Sequence, residues 1–385
     1  MKKINELKLA KELIRFPSVT PKDAGAINFL NKQLSSLGFR CKVLEFKDKK
    51  SKPIKNLYAR LGTQQPNLCY AGHTDVVPPG NIKDWTVNPF RPIVKNNHLI
   101  GRGANDMKSS IACFISAVSK FIKNKPKFKG SISFLITGDE EGYAINGTQK
   151  VVNYLKKKKE KINFCIVGEP TNPNKLGEMI KIGRRGSITG KIEISGVQGH
   201  VAYPHLLKNP INTLVKVCES LKEKKLDKGN KNFQPSNLEF TSINVDNKAH
   251  NVIPAKARAQ FNIRYNNYHT ANSLKKKINK IVKNLCKKSK CKFKIDYLAN
   301  GDSFLTKPEK TIHMAKRIIK KITNVNPKFS TTGGTSDARF IRKISPCLEF
   351  GLVNKTMHKI DECVSVADLR KLTNIYNNIL IEYFK

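Results

Sequence analysis

Acidic residues are scarce in this 385-residue chain: 29 Asp and Glu stand against 72 Lys and Arg, a formal net charge of +43. Long apolar runs are missing, and no stretch approaches the roughly 18 unbroken apolar residues of a membrane span. The opening stretch MKKINELKLAKELIRFPSVTP reads as a charged amphipathic helix stopped by Pro17, without the apolar centre or cleavage site of a secretory signal. No CxxC pair occurs among the nine cysteines, and Cys286 and Cys291 have no His or Cys neighbours to complete a zinc site. Several thiols sit inside apolar runs (LCYAG, FCIVG, PCLEF), where cysteine behaves as a small hydrophobe. These absences point to a reducing interior, no disulfide framework, no membrane and a cytoplasmic protein.

Interleaved aromatics, RNA-binding signatures and zinc fingers are also lacking around the basic runs, such as LKKKKEK (155–161) and LKKKINKIVKNLCKKSK (274–290). The lysines punctuate helical patterns and read as solvated helix faces, which argues against a nucleic-acid partner. A positive field would still steer a polyanionic small molecule inward.

What is present has two textures. Up to about residue 181, short β-rich runs (67–72, 131–137, 163–168) alternate with helical segments (107–123, 147–158), the pattern of βα units and a mostly parallel sheet. From 182 to 298 the strands alternate apolar and polar: GSITGKIEIS (186–195), LEFTSINV (238–245), AKARAQFNIRY (255–265) and CKFKIDYLA (291–299), with helices at 209–223 and 271–287. Four such strands with two helices predict a two-layer α+β domain. The α/β texture returns after 299. The expected fold is therefore an α/β domain, 1–181 and 299–385, with a smaller domain inserted at 182–298.

Open α/β sheets bind ligands beyond the carboxyl ends of their strands. The strand NLCYAG runs into His73 and Asp75; SISFLIT into Gly138, Asp139, Glu140 and Glu141; NFCIVG into Glu169; and SPCLEFG leads on to His358. GRGANDMKSS places Asp106 at a helix start. Two imidazoles and three carboxylates without cysteine suit zinc or a similar divalent ion in a catalytic rather than a structural site. Five ligands exceed what one open zinc needs and match two ions sharing a bridging carboxylate. Asp75 can orient a metal-bound His73 by a hydrogen bond to its distal nitrogen. Glu140 and Glu141 point differently, so one can ligate while the other acts as base. Arg184 and Arg264, in strand-like stretches of a chain poor in arginine, suit carboxylate clamps, with Arg185 a rival to its neighbour.

The stretches GHTDVVPPG, GRGANDMKSS, TGDEEGYAINGT and VGEPT, with the late His358, resemble the zinc-dependent amidohydrolase and exopeptidase family that includes carboxypeptidase G, aminoacylase and acetylornithine deacetylase. KIGRRGSITG, GVQGHVAYPH, NVIPAKARAQFNIRY and TTGGTSDARF are similar to the branch that cleaves N-succinyl amides. The resemblance covers essentially the whole chain. It implies two zinc ions per subunit, with cobalt able to substitute at one site. Asp106 would bridge them, His73 and Glu169 would complete one site, and Glu141 and His358 the other. Glu140 would be the general base and Asp75 the residue that orients His73. The inserted domain would act as lid and homodimer interface, carrying His200 into the partner's active site. Arg184, Ser187, Asn251, Arg264, Gly334, Thr335 and Asn354 would hold substrate carboxylates. Three positions depart from the family pattern: Asn105 replaces a small apolar residue before the bridging Asp, Asn212 a common His, and Ala255 the usual Gly.

Overall fold

In the computed structural model, which describes residues 4–48 and 51–385, the chain divides into two compact units. The first comprises Met1–Ile182, Thr306–Ser330 and Ser336–Lys385; the second comprises Gly183–Leu305 and Thr331–Thr335. The second unit thus runs past 298 and takes in a short separate segment, Thr331–Thr335. The added piece is a two-residue ladder in which Phe304–Leu305 pairs with Gly183–Arg184.

The first unit is built on an eight-stranded sheet. Its four central strands, in the order Ser131–Thr137, Asn67–His73, Phe164–Val167 and Cys347–Glu349, are parallel to one another. Antiparallel pairings flank this centre, Ile54–Leu61 and Arg40–Phe46 on one side and Met179–Lys181 on the other, with Lys328–Ser330 parallel to the last at the edge. No apolar run marks these flanks in the sequence: charged or amide residues interrupt Arg40–Phe46 and Ile54–Leu61, and Met179–Lys181 is only three residues long. Asn67–His73 and Ser131–Thr137 are buried at every position, as strands covered on both faces must be, and their sequences are correspondingly near-continuous apolar runs. Helix Lys108–Asn124 is buried along most of its length. Tyr70 stacks on Phe114 with centroids 4.3 Å apart, and Tyr376 meets both edge-on. The two hydroxyls are satisfied inside this packing, Tyr70 by Ser110 and Tyr376 by the Phe350 carbonyl.

The second unit is a four-stranded antiparallel sheet, ordered Asn237–Asn244, Lys256–Tyr265, Gly186–Ser195 and Lys292–Ala299. Helices Pro210–Glu223 and Ala271–Ser289 cover one face, packing Leu214, Val217, Ile278 and Val282 against Ile192, Phe261 and Ile263. The other face carries Lys191, Arg258, Lys294 and Asp296 into solvent, which explains the apolar–polar alternation. All nine cysteines are free thiols.

Candidate metal centre

The donors of the first unit lie at the end of, or in the loop after, a buried strand, or in the turn before a buried helix. His73 is the last residue of its strand, and Glu140–Glu141 follow strand Ser131–Thr137. Glu169 follows Phe164–Val167 after Gly168, where an added Cβ would fall 1.9 Å from the Tyr70 hydroxyl; only glycine lets the chain pass there. Asp106 sits in the turn before helix Lys108–Asn124, and His358 in the loop after Cys347–Glu349 with φ +62°.

These residues converge. His73 Nε2 lies 3.1 Å from Asp106 Oδ1 and 3.8 Å from Glu169 Oε1. His358 Nε2 lies 3.1 Å from Asp106 Oδ2 and 2.9 Å from Glu141 Oε1. One carboxylate therefore faces two imidazoles, one through each oxygen. The donor atoms of His73, Asp106 and Glu141 lie within 4.8 Å of one another, as do those of His73, Glu140 and Glu169.

Proton affinities record the same crowding. Burial by itself would raise the Asp106 carboxyl, but the hydrogen bonds to His358 and His73 outweigh it and hold the group well below the usual range. Burial works against a charged His73, yet its bond to Asp106 and the charges of Asp106 and Glu169 push that imidazole well up. The bonds to Asp106 and Glu141 push His358 up to about 10. Burial, then the nearby Glu169 carboxylate, lift Glu140 well above the usual carboxylate range. A cluster this rich in carboxylates recruits positive charge onto its two imidazoles. A divalent cation supplies that charge directly and displaces the protons, so the donor set fits a metal.

Asp75 differs from the expectation. His73 Nδ1 meets the backbone carbonyl of Asp75 at 2.9 Å, while the carboxylate stands 3.7 Å away. That carboxylate instead accepts from the backbone N–H of Glu140 at 3.2 Å and of Glu141 at 3.0 Å. Asp75 thus ties the His73 loop to the paired glutamates.

Two residues were missed. Glu362, 1% exposed, and Arg102, 2% exposed, form a buried ion pair at 2.8 Å behind Asp106. Arg102 was legible only as a basic residue between glycines, and Glu362 as an acid four residues beyond His358.

The remaining candidates divide between the units. Asn354 is in the first, its backbone N–H donating to the Asn172 carbonyl. In the second, the guanidinium of Arg184 donates to the Gly334 carbonyl at 3.2 Å and lies 3.4 Å from that of Thr332, next to Thr335. Arg185 turns instead to Asn237 Oδ1 at 2.9 Å. Ser187 pairs in register with Arg264, and Asn262 donates to its hydroxyl. His200 pairs with Val252 in a two-residue ladder beside Asn251. Its ring is exposed, and Nδ1 accepts from the Ala202 N–H at 3.1 Å. No helix among the described residues is long and apolar enough to cross a membrane.

Comparison with known proteins finds relatives along the whole chain. The succinyl-diaminopimelate desuccinylase of Pelagibacter ubique (strain HTCC1062) is 67% identical over 380 residues, 99% of each chain. The solved aminopeptidase PepT of Bacillus cereus shares the fold at a TM-score of 0.79, with 19% identity and full coverage of both chains. A Bacillus subtilis structure, the YXEP protein, described as a dinuclear metal binding peptidase from the M20 family, superposes at a TM-score of 0.73 with 12% identity over 98% of this chain and 97% of that one. Residues 69–382 match the family described as Peptidase family M20/M25/M40, and the chain belongs to it.

Proposed function

We propose that this chain hydrolyses N-succinyl-LL-2,6-diaminopimelate to succinate and LL-2,6-diaminopimelate, a step of diaminopimelate and lysine biosynthesis. The observation that carries this reading is the convergence of His73, Asp106, Glu140, Glu141, Glu169 and His358 in a chain 67% identical, end to end, to a desuccinylase. Asp106 would bridge two zinc ions, His73 and Glu169 holding one and Glu141 and His358 the other, with cobalt able to replace zinc at one site. Bound there, the ions supply Lewis acidity and a water of lowered pKa.

The chain's own residues supply the rest. Glu140 takes a proton from the attacking water as its oxygen bonds to the succinyl carbonyl carbon. His200 of the partner subunit donates to the developing oxyanion, so the second unit serves as lid and homodimer interface. Glu140 then gives the proton to the departing nitrogen as the C–N bond breaks. The substrate carries three carboxylates. Arg184, Ser187, Asn251, Arg264, Gly334, Thr335 and Asn354 would hold them, and planar guanidinium forks match carboxylates two oxygens at a time. A cytoplasmic location follows from this biosynthetic role.

The test is a side-by-side assay of N-succinyl-LL-diaminopimelate, N-acetylornithine and dipeptides, before and after chelation. Clear preference for the succinyl substrate, lost with the metals and restored by zinc or cobalt, is the expected result. Equal or better turnover of the others defeats the substrate assignment.

A further inference from the structure

Glu362 occupies an unusual position for a carboxylate. It is fully buried, yet it ligates nothing in the metal-centre assignment. Its Oε1 accepts from the backbone N–H of Asn105 at 2.7 Å and of Asp106 at 2.9 Å. Its Oε2 accepts from the Gly103 N–H at 2.9 Å and from Arg102 Nη1 at 2.8 Å. Two oxygens thus meet four donors, close to the full capacity of an ionised carboxylate. Three of those donors are consecutive or near-consecutive backbone groups of the turn that ends in Asp106.

Glu362 also belongs to the loop that carries His358. Further bonds join this loop to the Asp106 turn: the Gly101 N–H donates to the Glu362 carbonyl at 2.9 Å, and Arg102 Nη1 to the Lys359 carbonyl at 3.2 Å. Arg102 Nη2 reaches the Pro78 carbonyl at 3.3 Å, in the stretch that follows His73 and Asp75. Asn105, the residue that departs from the family pattern, donates from its side-chain amide to the Val353 carbonyl at the start of the same loop. Ligand-bearing segments some 250 residues apart in sequence are therefore tied through one ion pair.

We propose that Glu362, locked by Arg102, is a positioning residue that holds Asp106 at its distance from His358 and so sets the affinity of the second metal ion, the one shared by Asp106, Glu141 and His358. Asn105 adds a smaller, chain-specific tie between the same two segments. The inference rests on the reading of Asp106 and His358 as metal ligands. Glutamine cannot replace Glu362 without a conflict. In either amide orientation, its NH2 group confronts two donors that now find an acceptor, so the turn and Asp106 with it must shift.

Cobalt titrated into metal-free wild type, Glu362→Gln and Asn105→Ala tests this, with stoichiometry, the two dissociation constants and the visible cobalt spectrum as readouts. Partners behind metal ligands are worth about 10–100-fold in affinity. Glu362→Gln should weaken the second ion by at least about tenfold and the first, which shares Asp106 but keeps His73 and Glu169, by several-fold less, and alter the spectrum of the second ion. Asn105→Ala should weaken the second ion by about threefold. Unchanged constants and spectrum in Glu362→Gln overturn the inference. So does a fall in melting temperature with both ions weakened alike, which marks a merely structural role. Should Glu362→Gln fail to fold, Glu362→Asp, too short to reach all four donors, decides on the same constants. A wild-type chain that takes up no second ion brings down the metal-centre reading, and this inference with it.

Discussion

The strand ends of the first unit and the loops of the second present their polar residues in opposite ways. In the first, Asn67–His73 and Ser131–Thr137 are buried at every position, and Asp106 and Glu169 are no more than 8% exposed. In the second, alternate residues of each strand face solvent, and His200 lies exposed in a segment where Tyr203 is 56% and Leu206 66% exposed. His73, Asp106 and Glu169 are thus held inside the packing, whereas His358 is carried by an exposed loop. His200, proposed to act across a dimer, lies on an exposed two-residue ladder. Precision follows burial because a packed interior offers few alternative positions.

The largest effect expected from this contrast is at the buried centre. Glu140→Ala should lower kcat by about 10²–10⁴-fold, the range for a lost general base, while both metals remain bound. Metal content measured beside kcat checks it; loss of an ion would make Glu140 a ligand. An intermediate effect is expected in the second unit. Arg184→Lys should raise KM about tenfold or more, since lysine loses the planar fork and the bond to the Gly334 carbonyl. Arg185→Lys should change it by less than about threefold, because Arg185 is bound to Asn237 away from that loop. Steady-state kinetics of the two variants separates them, and equal effects would remove the distinction.

The smallest effect concerns stability alone. Asp227, in the second unit, accepts from the N–H groups of Gly229 and Ser236, from Asn266 and from His269. Burial would raise its carboxyl, but the bonds from Ser236, Gly229 and Asn266 hold it below the usual range. A lowered folded-state value means that the contribution is complete above the unfolded pKa, about 4, and is lost as pH falls through the folded one. Asp227→Ala should therefore cost about 2 kcal/mol near neutral pH and progressively less in acid. Denaturant midpoints at several pH values measure this, and a constant difference across that range would contradict it.

Much of the fold was readable because strands covered on both faces announce themselves as apolar runs, and His73, Glu140, Glu141 and Glu169 directly follow such runs. The flanking strands Arg40–Phe46 and Met179–Lys181 were not, since exposed charged residues interrupt the first and the second is three residues long with a buried lysine. Glu362 was illegible for a different reason. Its partners are backbone N–H groups, which every residue possesses, so no sequence pattern marks the contact.

The sequence by itself determined which donor types stand at the ends of which elements, because hydrophobic burial dictates where each strand begins and stops. Only the tertiary structure decided that Asp106 faces both imidazoles. It also decided that Asp75 grips the glutamate backbone rather than His73, and that Arg184 rather than Arg185 reaches the Gly334 loop. Those choices depend on backbone direction and on hydrogen bonds between segments tens to hundreds of residues apart. Composition and spacing carry no information about either.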